Sequence, residues 1–277
     1  MSVNLGFIGF GLTGGSLAKA IKAAHRDYRI SAYDTDRESL VQAKKEGILD
    51  TIWDENRLVL DQCDFLFLCA PGECNCAYLK YIREDIVGSD CILTDVGNLK
   101  SHIHQEVEKV CLTSNFIGGH PLFCQDAMGY ANAKAELITQ APCYLLTPSE
   151  DVSFQKLTRF TELITSLGVS PMVLTAQEHD YILAGAGHLP QLLKASFLSM
   201  IQHLDREGQK MLPLLPADSQ EFPADTAALQ QTCMANAPYI SEILDEYIRT
   251  LIQLRCQLDQ QDDRAINRLL THLPRRS

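Results

Sequence analysis

The stretch Gly9-Phe10-Gly11-Leu12-Thr13-Gly14 constrains this chain more than any other. It fits G-x-G-x-x-G, directly follows the short apolar run "NLGFI" and opens a helical pattern that runs from Leu12 to Ala24. Each glycine has its own steric duty. Gly9 permits the tight turn, Gly11 lets the backbone approach a pyrophosphate, and Gly14 lets the helix pack close to the strand. The N-terminus of that helix, where Leu12 sits, faces the negative charge. Asp34 ends the next strand, "YRISAYD", 25 residues after Gly9, and is placed to accept hydrogen bonds from adenosine ribose hydroxyls. A carboxylate there repels a 2′-phosphate, and the nearest following basic residue is Arg37, so NAD is favoured over NADP. Two blander readings stand beside these. The motif is also that of a glycine-rich turn with no ligand, and Asp34 is also a candidate N-cap for "DTDRESL", a duty that Thr35 or Asp36 can fill instead.

The pattern set by this loop continues. "DFLFLCAP" is a continuous apolar run closed by a proline, as a strand buried on both faces should be. "DCILTDVG", "NFIGGHP", "PCYLLTP" and "SPMVLT" extend the series, with a helix over 150–166 between the last two. Strands alternating with helices predict a parallel sheet covered by helices. After about Thr175 the strand signals stop. "AQEHDYILAGAGHLPQLLKASFLSMIQHL" predicts one long helical region kinked at Pro190. "MLPLLPADSQEFPAD" predicts a loop, and Ile240, Ile243, Leu244, Tyr247, Ile248, Leu251, Leu254 and Leu258 recur at helical spacing. "DDRAINRLLTHL" closes the series as a short helix, and "PRRS" reads as a frayed tail. The expectation is an α/β chain: a Rossmann-like dinucleotide-binding domain over 1–175, then an all-α domain over 176–277 for substrate and dimerisation.

Composition narrows the partners. The 277 residues carry a formal net charge of -11, which disfavours non-specific attraction to nucleic acid or an anionic membrane. No apolar run is long enough to cross a bilayer. "MSVNLGFIGFG" lacks a basic region followed by an apolar core, so no signal peptide is expected and the cytoplasm is the default location. The ten cysteines are scattered, and the closest pair is Cys74-Asn75-Cys76, which is not C-x-x-C. Reduced, mostly buried thiols are expected, with no metal site.

In a dinucleotide fold, ligands collect beyond the carboxyl ends of the strands. "CAPGE", "TDVGNLKS" and "GGHPLF" all fall at that edge. This puts Pro71, Asn98, Lys100, Ser101 and His120 near a nicotinamide. Hydride transfer from a carbon bearing a hydroxyl also requires loss of the hydroxyl proton, which a neutral histidine can take. His120 is therefore the candidate base, against the alternative of a packed turn histidine. Lys100 has the competing role of beginning the helix after "DVGN". His102, His104 and Lys109 read as a solvated helix face.

The ordered set "GFIGFGLTGGSLAKAI", "TDVGNLK", "FIGGHP", "APCYLLTP" and "HDYILAGAGHLP" resembles the prephenate and arogenate dehydrogenases of tyrosine biosynthesis, through residues 3 to about 200 and weakly beyond. The resemblance implies NAD-dependent oxidative decarboxylation of prephenate to 4-hydroxyphenylpyruvate, or of arogenate to tyrosine. It implies that His120 hydrogen-bonds the ring hydroxyl with Asn98 beside it, holding the same hydroxyl or the imidazole. His188, in "GHLP", would line the substrate pocket, or else be a structural histidine beside Pro190. Substrate contacts are expected from Asn98, His120, Gln125 and His188, and cofactor contacts from Gly9, Gly11, Leu12, Gly14, Asp34, Ala70, Pro71 and Asp95.

The chain departs from that family at defined places. Asn98 stands where the family has serine, and Phe123-Cys124-Gln125-Asp126 stands where it has a small-residue stretch. Phe123 is bulky enough to narrow a pocket. His188-Leu189-Pro190 is flanked by Gly187 and Gln191 rather than serine and histidine. The segment "SQEFPADTAALQQTCMANAP" has no counterpart of the family's carboxylate-gripping arginine, leaving Lys194, Arg206, Lys210 or Arg249 as substitutes. Two further readings stay open: a related oxidoreductase acting on another hydroxy acid or imine, and a non-catalytic NAD-binding regulatory protein. Room for an appended regulatory domain is not expected. The wide apolar stripe from Ile240 to Leu258 predicts a homodimer.

Overall fold

A computed structural model describes residues 3–55, 57–123, 127–203, 210–215 and 226–271. The chain divides into two units, Met1–Asp180 and Tyr181–Ser277.

In the first unit, five short strands form one parallel sheet: β1 (Asn4–Ile8), β2 (Arg29–Tyr33), β3 (Thr51–Ile52), β4 (Phe65–Leu68) and β5 (Ile92–Asp95), in the order β3-β2-β1-β4-β5. Strands β4 and β5 are buried at every position, which is why their sequences do not alternate. Helices α1 (Leu12–Ala24), α2 (Arg37–Lys45), α3 (Gly72–Ile86) and α4 (Ser101–Lys109) follow β1, β2, β4 and β5. Two apolar clusters fill the unit. One is built on Phe7, Leu17, Ile30, Phe67 and Phe160, the other on Ile8, Trp53, Leu68, Leu79, Leu93 and Phe116. Phe7 and Phe67 stack at 4.8 Å across the two central strands.

The expectation of an all-parallel sheet fails at the next strand. β6 (Ile117–Pro121) runs antiparallel to β7 (Tyr144–Pro148), and β8 (Pro171–Val173) is parallel to β7. The physical reason lies in the connection. Among its described residues it holds only a 3₁₀ turn, Tyr130–Asn132, and the one-turn helix α5 (Glu136–Thr139), not the long covering helix that carries a chain back for parallel pairing. A single parallel bridge, Leu93 to Phe116, and a bond from the Leu93 N–H to the Asn115 carbonyl (2.9 Å) tie the start of β6 to β5. Helix α6 (Phe154–Ser166) begins four residues later than the sequence pattern predicts, at a Ser153 cap that accepts from the Lys156 N–H. Helix α7 spans Ala176–Leu183.

The described residues of the second unit form helices joined by turns, with no strand among them. A π-turn, Ala184–His188, precedes helix α8 (Leu189–His203). This is where the sequence predicts a kink. Pro190 has no N–H to give the preceding turn, and the Leu189 N–H bonds the Ala184 carbonyl five residues back. Helices Thr226–Ala235, Ala237–Asp259 and Asp263–Thr271 follow. The first of these was not legible in the sequence. Most of the expected 211–225 loop, and the tail "PRRS", lie outside the described residues. The core here is thin: Ala184, Leu189, Cys233 and Ile240, with Leu193, Leu229, Tyr239, Ile243 and Leu244 against them. No helix among the described residues is long and apolar enough to cross a membrane. Of the nine described cysteines, only Cys63, Cys91 and Cys233 are buried, so burial of most thiols was overestimated; Cys74, Cys111 and Cys256 are exposed.

Candidate active site

The glycine loop takes the form its sequence requires. Gly9 has φ +89°, and a Cβ there would lie 2.4 Å from the Ala70 nitrogen, so only glycine lets β1 end against the Cys69–Ala70 backbone. A Cβ on Gly14 would meet the Gly9 carbonyl at 2.7 Å. Gly11 differs, because a Cβ there would meet nothing within 4 Å. Open space therefore lies in front of the first turn of α1, which has no side-chain cap and no acidic residue. Uncapped N–H groups facing a cleared approach suit a phosphate. Asp34 is half-buried and accepts from the N–H groups of Phe10 and Asp36, the latter at 2.8 Å. A carboxylate offers about four acceptor sites, so capacity for ribose hydroxyls remains. The capping duty falls to Asp36, which accepts from Ser39. These residues fit a dinucleotide with an unphosphorylated ribose. Pro71 is exposed at the start of α3.

Asp95 departs from its expected role as a cofactor contact. It is buried, and its carboxylate is committed to the protein. Lys100 Nζ pairs with it at 2.6 Å, and the N–H groups of Gly97 and Gly119 donate to it at 2.9 and 3.3 Å. Lys100 does more than begin a helix, for it is fully buried. Burial depresses its pKa, and Asp95 opposes that shift. His104 also departs from the solvated face assigned to it. It is largely buried, its Nε2 lies 3.0 Å from Thr147 Oγ1 and its Nδ1 3.2 Å from Ser149 Oγ. Its pKa is lowered by burial and by Lys100, against the pull of Asp95. His102 and Lys109 are exposed, as a solvated face requires.

"GGHP" is strand rather than turn. Gly118 and Gly119 lie within β6, where a Cβ would sit 2.3 Å from Thr147 Oγ1 or 2.7 Å from the Asp95 carbonyl. The glycines let β6 press against the Asp95–Lys100 loop and β7. His120 pairs in register with Leu145 and is 8% exposed. Its Nδ1 lies 2.9 Å from His179 Nε2, and His179 Nδ1 lies 2.8 Å from Asp180 Oδ1. Asp180 in turn accepts from the N–H groups of Lys100 and Ser101, both at 2.8 Å. Burial alone would raise the Asp180 pKa, but the His179 bond and these two N–H groups hold it below the usual carboxylate range. Asn98 does not hold the imidazole: its side chain is exposed, and the Nδ1 position belongs to His179.

Phe123 packs against the first apolar cluster and is partly buried there, which removes the reason to assign it a pocket-narrowing role. Gln125 and Arg206 lie outside the described residues. In the second unit His188 is buried, with its Nδ1 3.1 Å from the Asn236 amide nitrogen. Arg249 forms an exposed pair with Glu246. Sequence reasoning missed His179 and Asp180. Their signal was a His-Asp dipeptide at the head of "HDYILAGAGHLP", a stretch that carries the family resemblance but to which no role was given.

A family profile described as "Prephenate dehydrogenase, nucleotide-binding domain" matches residues 17–173. The chain is 26% identical to a prephenate dehydrogenase of Bacillus subtilis (strain 168), over 92% of this chain and 70% of that one. Its fold matches Synechocystis arogenate dehydrogenase with a TM-score of 0.87 at 24% identity, covering 97% and 96% of the two chains. It also matches prephenate dehydrogenase from A. aeolicus in complex with hydroxyphenyl propionate and NAD+, with a TM-score of 0.82 at 20% identity, covering 99% and 96%. At such identities the two structures establish a common fold.

Proposed function

Because the chain belongs to the prephenate dehydrogenase family, we propose that it catalyses the NAD-dependent oxidative decarboxylation of prephenate or arogenate. The observation that carries this reading is His120. It is a buried imidazole at the carboxyl end of β6, oriented by a second histidine and a carboxylate. The related proteins named above, one of them with NAD+ bound, support the choice of reaction and cofactor.

Gly9, Gly11, Leu12 and Gly14 would hold the pyrophosphate, Asp34 the ribose, and Ala70 and Pro71 would border the nicotinamide. Bound there, the nicotinamide supplies the hydride acceptor. His120 accepts the proton of the ring hydroxyl as the carbon that bears it gives up hydride. The bond to the ring carboxylate then breaks, its electron pair enters the ring and carbon dioxide leaves. His120 returns the borrowed proton to the ring oxygen, which is now phenolic. Aromatisation supplies the driving force, so the protein's work is to orient the ring and manage one proton. Asn98 and Gln125 are assigned to the substrate from their places in the sequence, after the "TDVG" and "GGHP" stretches, and His188 on the strength of family resemblance. Asp95 and Lys100 are assigned to holding the loop under His120. The enzyme is placed in the cytoplasm.

One observation favours a second reading. The segment 219–238 contains no arginine or lysine, so a dianionic substrate lacks the family's charge-assisted clamp there. A related hydroxy acid with fewer carboxylates is the alternative substrate. A panel of prephenate, arogenate and simple hydroxy acids, each with NAD and NADP, separates the readings. Reduction of NAD with prephenate or arogenate supports the first. Turnover confined to other acids supports the second, and tight NAD binding without turnover identifies a binding protein.

The assembly is assigned as a homodimer built on helix Ala237–Asp259. This helix leaves Tyr247, Ile248, Leu251, Ile252 and Leu258 exposed, an apolar stripe that its own unit does not cover. Sedimentation at micromolar concentration should give twice the chain mass; monomer alone would rule this out.

A further inference from the structure

We infer that His179 and Asp180 are positioning residues that fix the proton of the His120 imidazole on Nδ1, so that Nε2 is the atom that accepts the substrate proton. The inference rests on the role given to His120 above and extends it to which nitrogen acts and where the charge goes.

The argument is one of donors and acceptors. Asp180 is held ionised by its bonds to the N–H groups of Lys100 and Ser101. An ionised carboxylate only accepts, so the nitrogen facing it, His179 Nδ1 at 2.8 Å, must carry a hydrogen. A neutral His179 then presents a bare Nε2. That atom lies 2.9 Å from His120 Nδ1, so His120 Nδ1 must carry the hydrogen between them. The remaining nitrogen of a neutral His120, Nε2, is thereby the basic one. The same logic orients the base of a hydrolase triad through a carboxylate. Here a second imidazole is interposed.

The extra ring adds something a carboxylate alone does not. When Nε2 takes the substrate proton, the hydrogen on Nδ1 can pass to His179 Nε2. The positive charge then rests on His179, against Asp180, and one step back returns it. The substrate's O–H bond breaks as an N–H bond forms at His120 Nε2; in the relay the N–H bond at His120 Nδ1 breaks as one forms at His179 Nε2, so the proton count is unchanged. The carboxylate beside His179 favours this. The other titratable groups near β6 have their own partners: Asp95, at the end of β5, pairs with Lys100 and accepts from the Gly119 N–H, and His104 of α4, its pKa lowered by burial, faces Thr147 and Ser149.

The test uses two variants of the whole chain, His179→Leu and His179→Gln. Leucine removes the acceptor. Glutamine restores one through its amide oxygen but cannot take a proton, and it keeps the test available should the leucine variant not fold. Nitrogen NMR of the histidine rings, without substrate or cofactor, should place the His120 hydrogen on Nδ1 in the native protein and in His179→Gln, and move it to Nε2 in His179→Leu. In kinetics with NAD and the active substrate, His179→Leu should lose about 10²- to 10⁴-fold in kcat with the KM for NAD little changed. His179→Gln should recover part of that loss, and its rising pH limb should shift because His120 titrates alone. A native His120 protonated on Nε2, or a His179→Leu variant that turns over at the native rate, overturns the inference. The Nδ1 form in a protein that turns over no substrate would sink the functional reading and leave the pairing intact.

Discussion

The two units of this chain solve the burial problem differently. The first encloses two apolar clusters and spends its buried charges on each other, as Lys100 does on Asp95. Among its described residues the second has a cluster of four buried apolar residues and leaves Phe197, Met200, Met234, Ile252, Leu258 and Leu270 exposed. An ion pair there, Arg249–Glu246, is 71% exposed on both sides. A sheet closed by helices on its faces needs nothing further to hide its apolar surface. The difference concerns the described residues: the first unit has its apolar side chains in two buried clusters, and the second has a small cluster beside an exposed apolar stripe, the surface that the proposed homodimer would cover.

The largest expected effect breaks the first half of this contrast. Lys100→Met strands a buried Asp95 carboxylate and should cost about 3–5 kcal/mol in denaturant unfolding, the range for half of a buried pair. Arg249→Ala, its counterpart in the second unit, should change stability by less than about 0.5 kcal/mol. Equal losses at the two sites would erase the distinction drawn here.

Next comes the open face. Leu251→Glu places a charge on the apolar stripe of the second unit, at a residue 43% exposed. It should shift sedimentation from dimer to monomer while leaving the signals of the first unit in place. A variant that remains dimeric would move the interface elsewhere.

A smaller effect is confined to the glycine-loop site. Asp34→Ser with Thr35→Arg removes the carboxylate that repels a 2′-phosphate and adds a cation for it. The ratio of kcat/KM values should move toward NADP by about tenfold or more, the worth of one charge-assisted hydrogen bond. A native protein that already uses NADP as well as NAD would refute the reading of Asp34.

What could be read in the sequence follows the distance over which each feature is specified. Gly9, Gly11, Gly14 and Asp34 belong to one strand-loop-helix-strand unit, so spacing alone assigned their places. Runs such as Phe65–Leu68 announced themselves because strands buried on both faces carry no polar alternation. The His120–His179 contact joins residues 59 apart, and no local pattern encodes it. Asp95 and Lys100 sit five apart in one motif, but their burial is imposed by β6 pressing on the loop, which only the fold reveals. The antiparallel turn from β6 to β7 was hidden for a related reason: both strands look alike in either direction. Helix Thr226–Ala235 has one buried residue, Cys233, and so carries little of the apolar periodicity that would mark it.

The central claim is that the better-built unit holds its catalytic imidazole in β6, and His120→Asn tests it most directly. Turnover of prephenate and arogenate should be followed against pH for both proteins, with NAD affinity measured separately. The native rate should rise with pH as a single group loses its proton, because only neutral imidazole accepts one. In the variant that rise should vanish and kcat should fall about 10²- to 10⁴-fold, with NAD affinity retained. A variant that loses stability yet, in its folded fraction, turns over at the native rate with the native pH profile would contradict the account and leave His120 a packing residue of the strand.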